Sequence, residues 1–218
     1  MIEHPNTYIE HTLLKIDLTD REVDQLISEA KRYQFIGVCI PPFWVKKVSR
    51  ELENSTIQLV TVIGFPLGYQ QTASKLHEIE MAIADGADEL DLVMNVSAFK
   101  SGMNWSKIEM AKAAQLAHQQ QKILKIIVET ALLTKEEIAQ VSKIVSDAGA
   151  DYIKTSTGFA SRGASIDDIE IMKANVAPHV GIKASGGIKS REQLEALVNA
   201  GADRIGTSAG VQIMKAYE

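Results

Sequence analysis

The 218-residue chain carries one cysteine, Cys39, so no disulfide can form within it. That suits a reducing, cytoplasmic setting. It also lacks a dense basic run, and its formal net charge is −5, which excludes a nucleic acid held by charge. The longest apolar runs are strand-sized, so no membrane span is expected. Residues Met1 to Thr7 show neither the basic nor the apolar region of a signal peptide. No Pro- or Ser-rich linker divides the chain, which points to a single domain over residues 1–218. His4, His11, His77, His118 and His179 are scattered without metal-ligand spacing, so neither metal nor cofactor is expected.

What the chain does have is a βα alternation. Strand-like runs lie at Ile9–Leu14, Gly37–Ile40, Gln58–Ile63, Glu89–Asn95, Ile123–Glu129, Tyr152–Thr155, Val180–Ala184 and Arg204–Thr207. Amphipathic helical stretches separate them. Asp20–Tyr33 repeats Val23, Leu26, Ile27 and Ala30 at helical spacing. Thr134–Ala148 opens on a Thr134/Glu137 capping box and Ser190–Ala200 on a Ser190/Gln193 box. A Gly-Ala-Asp step recurs at Gly86, Gly149 and Gly201, where a helix ends on a left-handed glycine and a strand begins. Eight such units predict an α/β single-domain (β/α)8 TIM barrel. An open doubly wound sheet ranks lower, because no Gly-x-Gly-x-x-Gly follows the first strand.

Strand alternation then sorts the side chains. Leu90, Leu92, Met94, Ile126, Val128, Ile153 and Ile182 fit the helix side. Asp91, Val93, Asn95, Lys125, Ile127, Glu129, Lys154 and Lys183 point inward. Four adjacent strands thus place Asp91, Lys125, Lys154 and Lys183 in the interior, more charge than packing explains. Like charges in a desolvated site lower each other's pKa, and a neutral lysine forms a Schiff base with a carbonyl. A second lysine that stays charged and a carboxylate that shuttles protons complete the requirements of that chemistry. Gly186-Gly187 and the Gly206-to-Gly210 loop follow the last two strands, where barrels of this kind hold phosphate.

On these residues the chain resembles the deoxyribose-phosphate aldolase family. The likeness spans nearly the whole length, and the Lys154-Thr-Ser-Thr-Gly158 and Lys183-Ala-Ser-Gly-Gly187 blocks carry its specificity. It implies a class I, metal-independent lyase. Such an enzyme reversibly cleaves 2-deoxy-D-ribose 5-phosphate to glyceraldehyde 3-phosphate and acetaldehyde, in deoxyribonucleotide catabolism. It implies Lys154 as the Schiff-base lysine, Lys183 as its perturber and proton donor, Asp91 as the proton relay and Lys125 as support for that relay. It places Gly186, Gly187, Gly206 and Ser208 at the phosphate, with Thr157 nearby, and suggests a homodimer. Three positions depart from the pattern: Glu10 stands for an Asp, Pro41 for a polar residue, and Arg162 for a small uncharged one. Arg162 reads either as a solvated loop charge or as an added phosphate contact. Cys39 reads as a buried small hydrophobe that could line the pocket, and Glu129 as a partner for Lys125 or Lys154. Met81, Met94 and Met110 read as core, and Trp44 and Trp105 as packing anchors. The alternatives are another phosphosugar aldolase or transaldolase on this fold, or a catalytically silent barrel that binds a sugar phosphate.

Overall fold

The computed structural model describes residues 2–218. Eight parallel strands close into a barrel in chain order: β1 (Ile9–Thr12), β2 (Gly37–Ile40), β3 (Gln58–Ile63), β4 (Glu89–Val93), β5 (Ile123–Ile127), β6 (Tyr152–Lys154), β7 (Gly181–Ser185) and β8 (Arg204–Thr207). Around them run α1 (Asp20–Tyr33), α2 (Val45–Glu51), α3 (Thr72–Ala84), α4 (Val96–Lys100), α5 (Trp105–Gln119), α6 (Lys135–Asp147), α7 (Ile166–Asn175), α8 (Arg191–Ala200) and α9 (Gly210–Lys215). This is the TIM barrel expected from the alternation. No helix among the described residues is long and apolar enough to cross a membrane.

The helix starts follow local chemistry. In α6, Thr134 Oγ1 accepts from Glu137 N at 3.2 Å while Glu137 Oε2 accepts from Thr134 N at 2.8 Å. Ser190 and Gln193 repeat the exchange at α8. Four expected strands stop short, β6 by a single residue at Lys154. Asn95, expected to point inward, instead caps α4 by accepting from Ala98 N at 3.0 Å. Glu129 leaves the strand conformation altogether, at φ 54°. Chain beyond Thr12 likewise turns away into the loop before α1.

The Gly-Ala-Asp step does more than turn the chain. Gly86, Gly149 and Gly201 all take positive φ, as expected. The aspartate after each one reaches sideways to the preceding strand. Asp88 accepts from Leu59 N at 3.0 Å, Asp151 from Leu124 N at 2.8 Å and Asp203 from Ile182 N at 2.8 Å. Each thus satisfies a backbone donor in its neighbour while its own strand begins. Ile2 N and the Tyr217 hydroxyl share one acceptor, both donating to Glu195 Oε1, at 3.4 and 3.0 Å.

The apolar core lies between strands and helices, where Leu90, Leu92, Met94, Ile126, Val128, Ile153 and Ile182 are all buried as alternation requires. Inside the barrel a smaller apolar cluster of Cys39, Val60 and Val62 occupies the β2–β3 side, packed by Leu14 and Phe65. Charged side chains occupy much of the rest, beside buried Val93 and Ile127. Met94 and Met110 are core, but Met81 is exposed, since α3 turns Lys75, Ile79 and Ala82 toward the barrel. Trp105, the first residue of α5, is also exposed, whereas Trp44 packs against the core.

Candidate active site

The centre of the interior is Asp91, wholly buried on β4. Its Oδ1 accepts from Lys125 Nζ at 3.0 Å. Its Oδ2 accepts from both Lys154 Nζ at 2.8 Å and Lys183 Nζ at 2.7 Å. Strand register sets this up, pairing Asp91 with Lys125 and Lys154 with Lys183. Glu10, from β1, closes the group: it pairs with Lys183 and lies 3.5 Å from Lys125. The longer carboxylate therefore reaches into the cluster rather than standing apart from it.

Glu89 was not foreseen. It lies two residues before Asp91 on the same strand, so it shares Asp91's inward parity, and that was the available signal. Its carboxylate is 2.5 Å from Lys125 Nζ and 3.8 Å from Arg204, whose guanidinium lies over the Tyr152 ring. Three lysines and three carboxylates are thus interleaved in the interior, which is how a barrel tolerates so much buried charge.

The environment fixes most of the charge states. Burial pushes Asp91 upward, but Lys125, Lys154 and Lys183 outweigh it and hold the carboxyl well below its ordinary value. Glu10 is lowered in the same way, by Lys125 and Lys183 against burial. Burial works to lower Lys183, and Asp91 and Glu10 overcome it, so that lysine is raised and remains a cation. Lys125 is raised too, by Asp91, Glu10 and Glu89 against burial.

Of this group, Lys154 is the one that lines the cavity beside the glycine loops. That cavity, of about 300 Å3, is lined also by Thr157, Gly158, Phe159, Gly186, Gly187, Gly206 and Ser208. All five expected phosphate residues therefore share one space with the expected Schiff-base lysine. Gly186 and Gly187 sit at φ 88° and 74°, a backbone that presents consecutive N–H groups and that other residues rarely adopt. Two lysines at the rim, Lys15 and Lys189, were not singled out from sequence. Lys15 is engaged by Glu22 at 2.6 Å. Among the described residues, no three His, Cys, Asp or Glu side chains converge as a metal site.

A family model, described as DeoC/LacD family aldolase, matches residues 7–216. The chain belongs to that family. Similar proteins include the deoxyribose-phosphate aldolase of Lactococcus lactis, 47% identical over 96% of this chain and 95% of its own. That of Brevibacillus brevis is 48% identical over 96% and 94%. The solved deoxyribose phosphate aldolase of Aeropyrum pernix, described as a unique tetrameric structure, superposes with a TM-score of 0.92 at 32% identity, covering 99% of this chain and 93% of that one.

Thr157, Glu129 and Arg162 sit differently from the sequence expectation. Thr157 lines the cavity, yet both its N–H and its hydroxyl donate to Glu129 Oε2, and its Oγ1 accepts from Phe159 N at 3.1 Å. It has no hydrogen left to donate to an anion, so its contribution is to shape the loop. Glu129 accordingly pairs with Thr157, not with Lys125 or Lys154; the left-handed turn carries its carboxylate out of the barrel interior. Arg162 is neither a free loop charge nor a lining residue of the cavity. It grips Asp168 through both terminal nitrogens, at 2.5 and 3.2 Å. Gly206 has a packing reason of its own, since a Cβ there would lie 3.2 Å from Lys183 Cε. Cys39 is buried as expected and does not line the Lys154 cavity; burial holds its thiol up at about 11, so it is no nucleophile at neutral pH.

Proposed function

We propose that this aldolase reversibly cleaves 2-deoxy-D-ribose 5-phosphate to D-glyceraldehyde 3-phosphate and acetaldehyde through an imine on Lys154. One observation carries the reading. Lys154 and Lys183 share a single oxygen of Asp91, and only Lys154 faces the cavity walled by the glycine loops.

In the cleavage direction, Lys154 passes a proton to Asp91 and its amine attacks the C1 aldehyde of the open-chain sugar. Lys183, the retained cation, protonates the carbinolamine hydroxyl, which leaves as water and yields the iminium. Lys183, neutral after that transfer, takes the proton of the C3 hydroxyl as the C2–C3 bond breaks, and the electron pair of that bond flows into the iminium to form an enamine. Glyceraldehyde 3-phosphate leaves. Asp91 returns the proton it took from Lys154 to C2 of the enamine, and water hydrolyses the resulting iminium, releasing acetaldehyde and restoring the Lys154 ammonium. Lys125 and Glu10 keep Asp91 and Lys183 in place during these transfers, since each bonds or pairs with one of them. Backbone N–H groups at Gly186, Gly187 and Ser208 receive the phosphate, and Lys189 supplies the charge that faces it.

Borohydride trapping with acetaldehyde, followed by peptide mapping, tests the reading. A reduced ethyl adduct on Lys154 supports it; an adduct on Lys183 reverses the two lysines, and none at all removes the imine. Dihydroxyacetone phosphate as donor distinguishes a ketose aldolase on the same barrel. A homodimer in the cytoplasm belongs to the same proposal, and sedimentation of the purified chain measures the oligomer.

A further inference from the structure

Arg162 stands at a position where the family resemblance leads one to expect a small uncharged residue. Its guanidinium is nevertheless highly organised. One nitrogen donates to Asp168 Oδ2 at 2.5 Å and to the Gly163 carbonyl at 3.1 Å; the other donates to Asp168 Oδ1 at 3.2 Å and to the Thr130 carbonyl at 2.8 Å. The acceptors come from three places: the turn after β5, the loop after β6, and the first turn of α7. Asp168 and Thr130 are buried, and the Thr130 hydroxyl donates to Asp168 at 2.9 Å. The bidentate grip is thus built on a fixed base rather than on a solvated surface.

The residues next to Arg162 touch the glycine loop directly. A Cβ on Gly163 would fall 2.0 Å from the Gly186 carbonyl oxygen, so the two backbones are in bare contact. Ala164 N donates to the Ser185 carbonyl at 3.0 Å. At the other end of the same loop, Glu129 holds Thr157. The segment from Thr157 to Ala164 is therefore fastened at both ends to the turn after β5 and laid against Gly186.

We propose that Arg162 is a positioning residue: its clamp on Asp168 and Thr130 holds the loop after β6 against Gly186 and so keeps the phosphate subsite in its binding geometry. This rests on the glycine loops being the phosphate site. Arg162 acts through backbone contacts and does not touch the ligand. Loosening it degrades recognition of the phosphate and leaves chemistry at Lys154 unchanged.

Steady-state kinetics of three variants on 2-deoxyribose 5-phosphate and on unphosphorylated 2-deoxyribose decide the matter. Arg162→Ala is expected to raise KM for the phosphorylated sugar roughly tenfold while kcat/KM for the unphosphorylated one stays within about twofold, because sub-ångström misplacement of a binding group is enough to produce such a loss. Asp168→Asn separates the clamp from a direct contact. The clamp requires KM for the phosphorylated sugar to rise. An unchanged or lower KM, as a released guanidinium reaching the phosphate would produce, overturns the proposal. Arg162→Lys keeps the charge on a half-exposed site and leaves folding undisturbed, but one ammonium cannot replace the forked contacts. It should retain most of the Arg162→Ala defect, and full recovery overturns the clamp. Thermal unfolding and the unphosphorylated substrate report whether each variant is folded. Failure of the unaltered chain to trap acetaldehyde on Lys154 would instead defeat the aldolase reading, which none of these variants tests.

Discussion

Removing Lys183 should do two separable kinds of damage. The side chain is wholly buried and bonds both Asp91 and Glu10. In Lys183→Leu, Asp91 keeps Lys125 and Lys154, but Glu10 is left with only Lys125, 3.5 Å away. A buried carboxylate stripped of its main partner costs about 3–5 kcal/mol. Against a total stability of about 5–15 kcal/mol, that is a large fraction. For a chain of this length it corresponds to a fall in Tm of roughly 10 °C. The double variant Lys183→Leu/Glu10→Leu removes both charges together and leaves two lysines facing Asp91 and Glu89. Apolar replacement of a whole buried pair is close to neutral, so the double variant should recover most of the lost stability, with a coupling of about 3 kcal/mol. It should not recover activity, because the proton donor to the carbinolamine is still missing. Urea unfolding followed by circular dichroism measures the first effect, and the rate of aldol cleavage the second. A single variant as stable as the parent would refute the charge-pair reasoning. So would a double variant no more stable than the single one.

Three further outcomes follow from the site. Lys189→Gln should raise KM for the phosphorylated sugar about tenfold with little change in kcat, and should flatten the dependence of KM on salt, since it removes an exposed charge. Gly206→Ala would set a methyl 3.2 Å from both Lys183 Cε and Ser185 Cβ; overpacking of this kind costs about 1–3 kcal/mol, and the displaced Lys183 should lower kcat at unchanged fold by circular dichroism. Asp91 and Glu10 have folded pKa values below their unfolded ones, so their stabilisation is complete above the unfolded carboxylate values of about 4 and is lost as pH falls through the lower folded ones. Lys183 is raised, so its share is complete below about 10.4 and lost only in stronger alkali. Unfolding free energy measured across pH should therefore fall on the acid side beginning below about pH 5, and Glu10→Gln should weaken that fall.

Much of this was legible along single strands. Asp91, Lys125, Lys154 and Lys183 emerge because a strand's period of two is a local property that register then brings together. Glu89 obeys the same rule from the first position of β4, two residues before Asp91, where it meets Lys125 and Arg204. Arg162 stood out as a departure, but its clamp could not be read, since Thr130 and Asp168 lie 32 and 6 residues away and nothing in the intervening sequence says that they converge. Thr157 illustrates a different limit. Its position in the cavity was foreseen, but whether a hydroxyl is free to bind depends on a hydrogen-bond account that includes Glu129 in its left-handed turn. Lys189 lies beyond the end of β7, where alternation no longer fixes direction.

The aspartates of the Gly-Ala-Asp steps divide the wall of the barrel into couplets, β3 with β4, β5 with β6 and β7 with β8. Each couplet is closed by a bond spanning 29, 27 or 21 residues. Ile2 and Tyr217 both contact Glu195, so a circular permutant that joins these two residues through an added linker can be opened elsewhere. A new opening between couplets leaves all three spans short. An opening inside one turns its span into nearly the whole chain, at a closure cost of about 2 kcal/mol from the logarithmic growth of loop entropy. The circle of eight equivalent strands is thus, for connectivity, a set of paired segments with preferred seams.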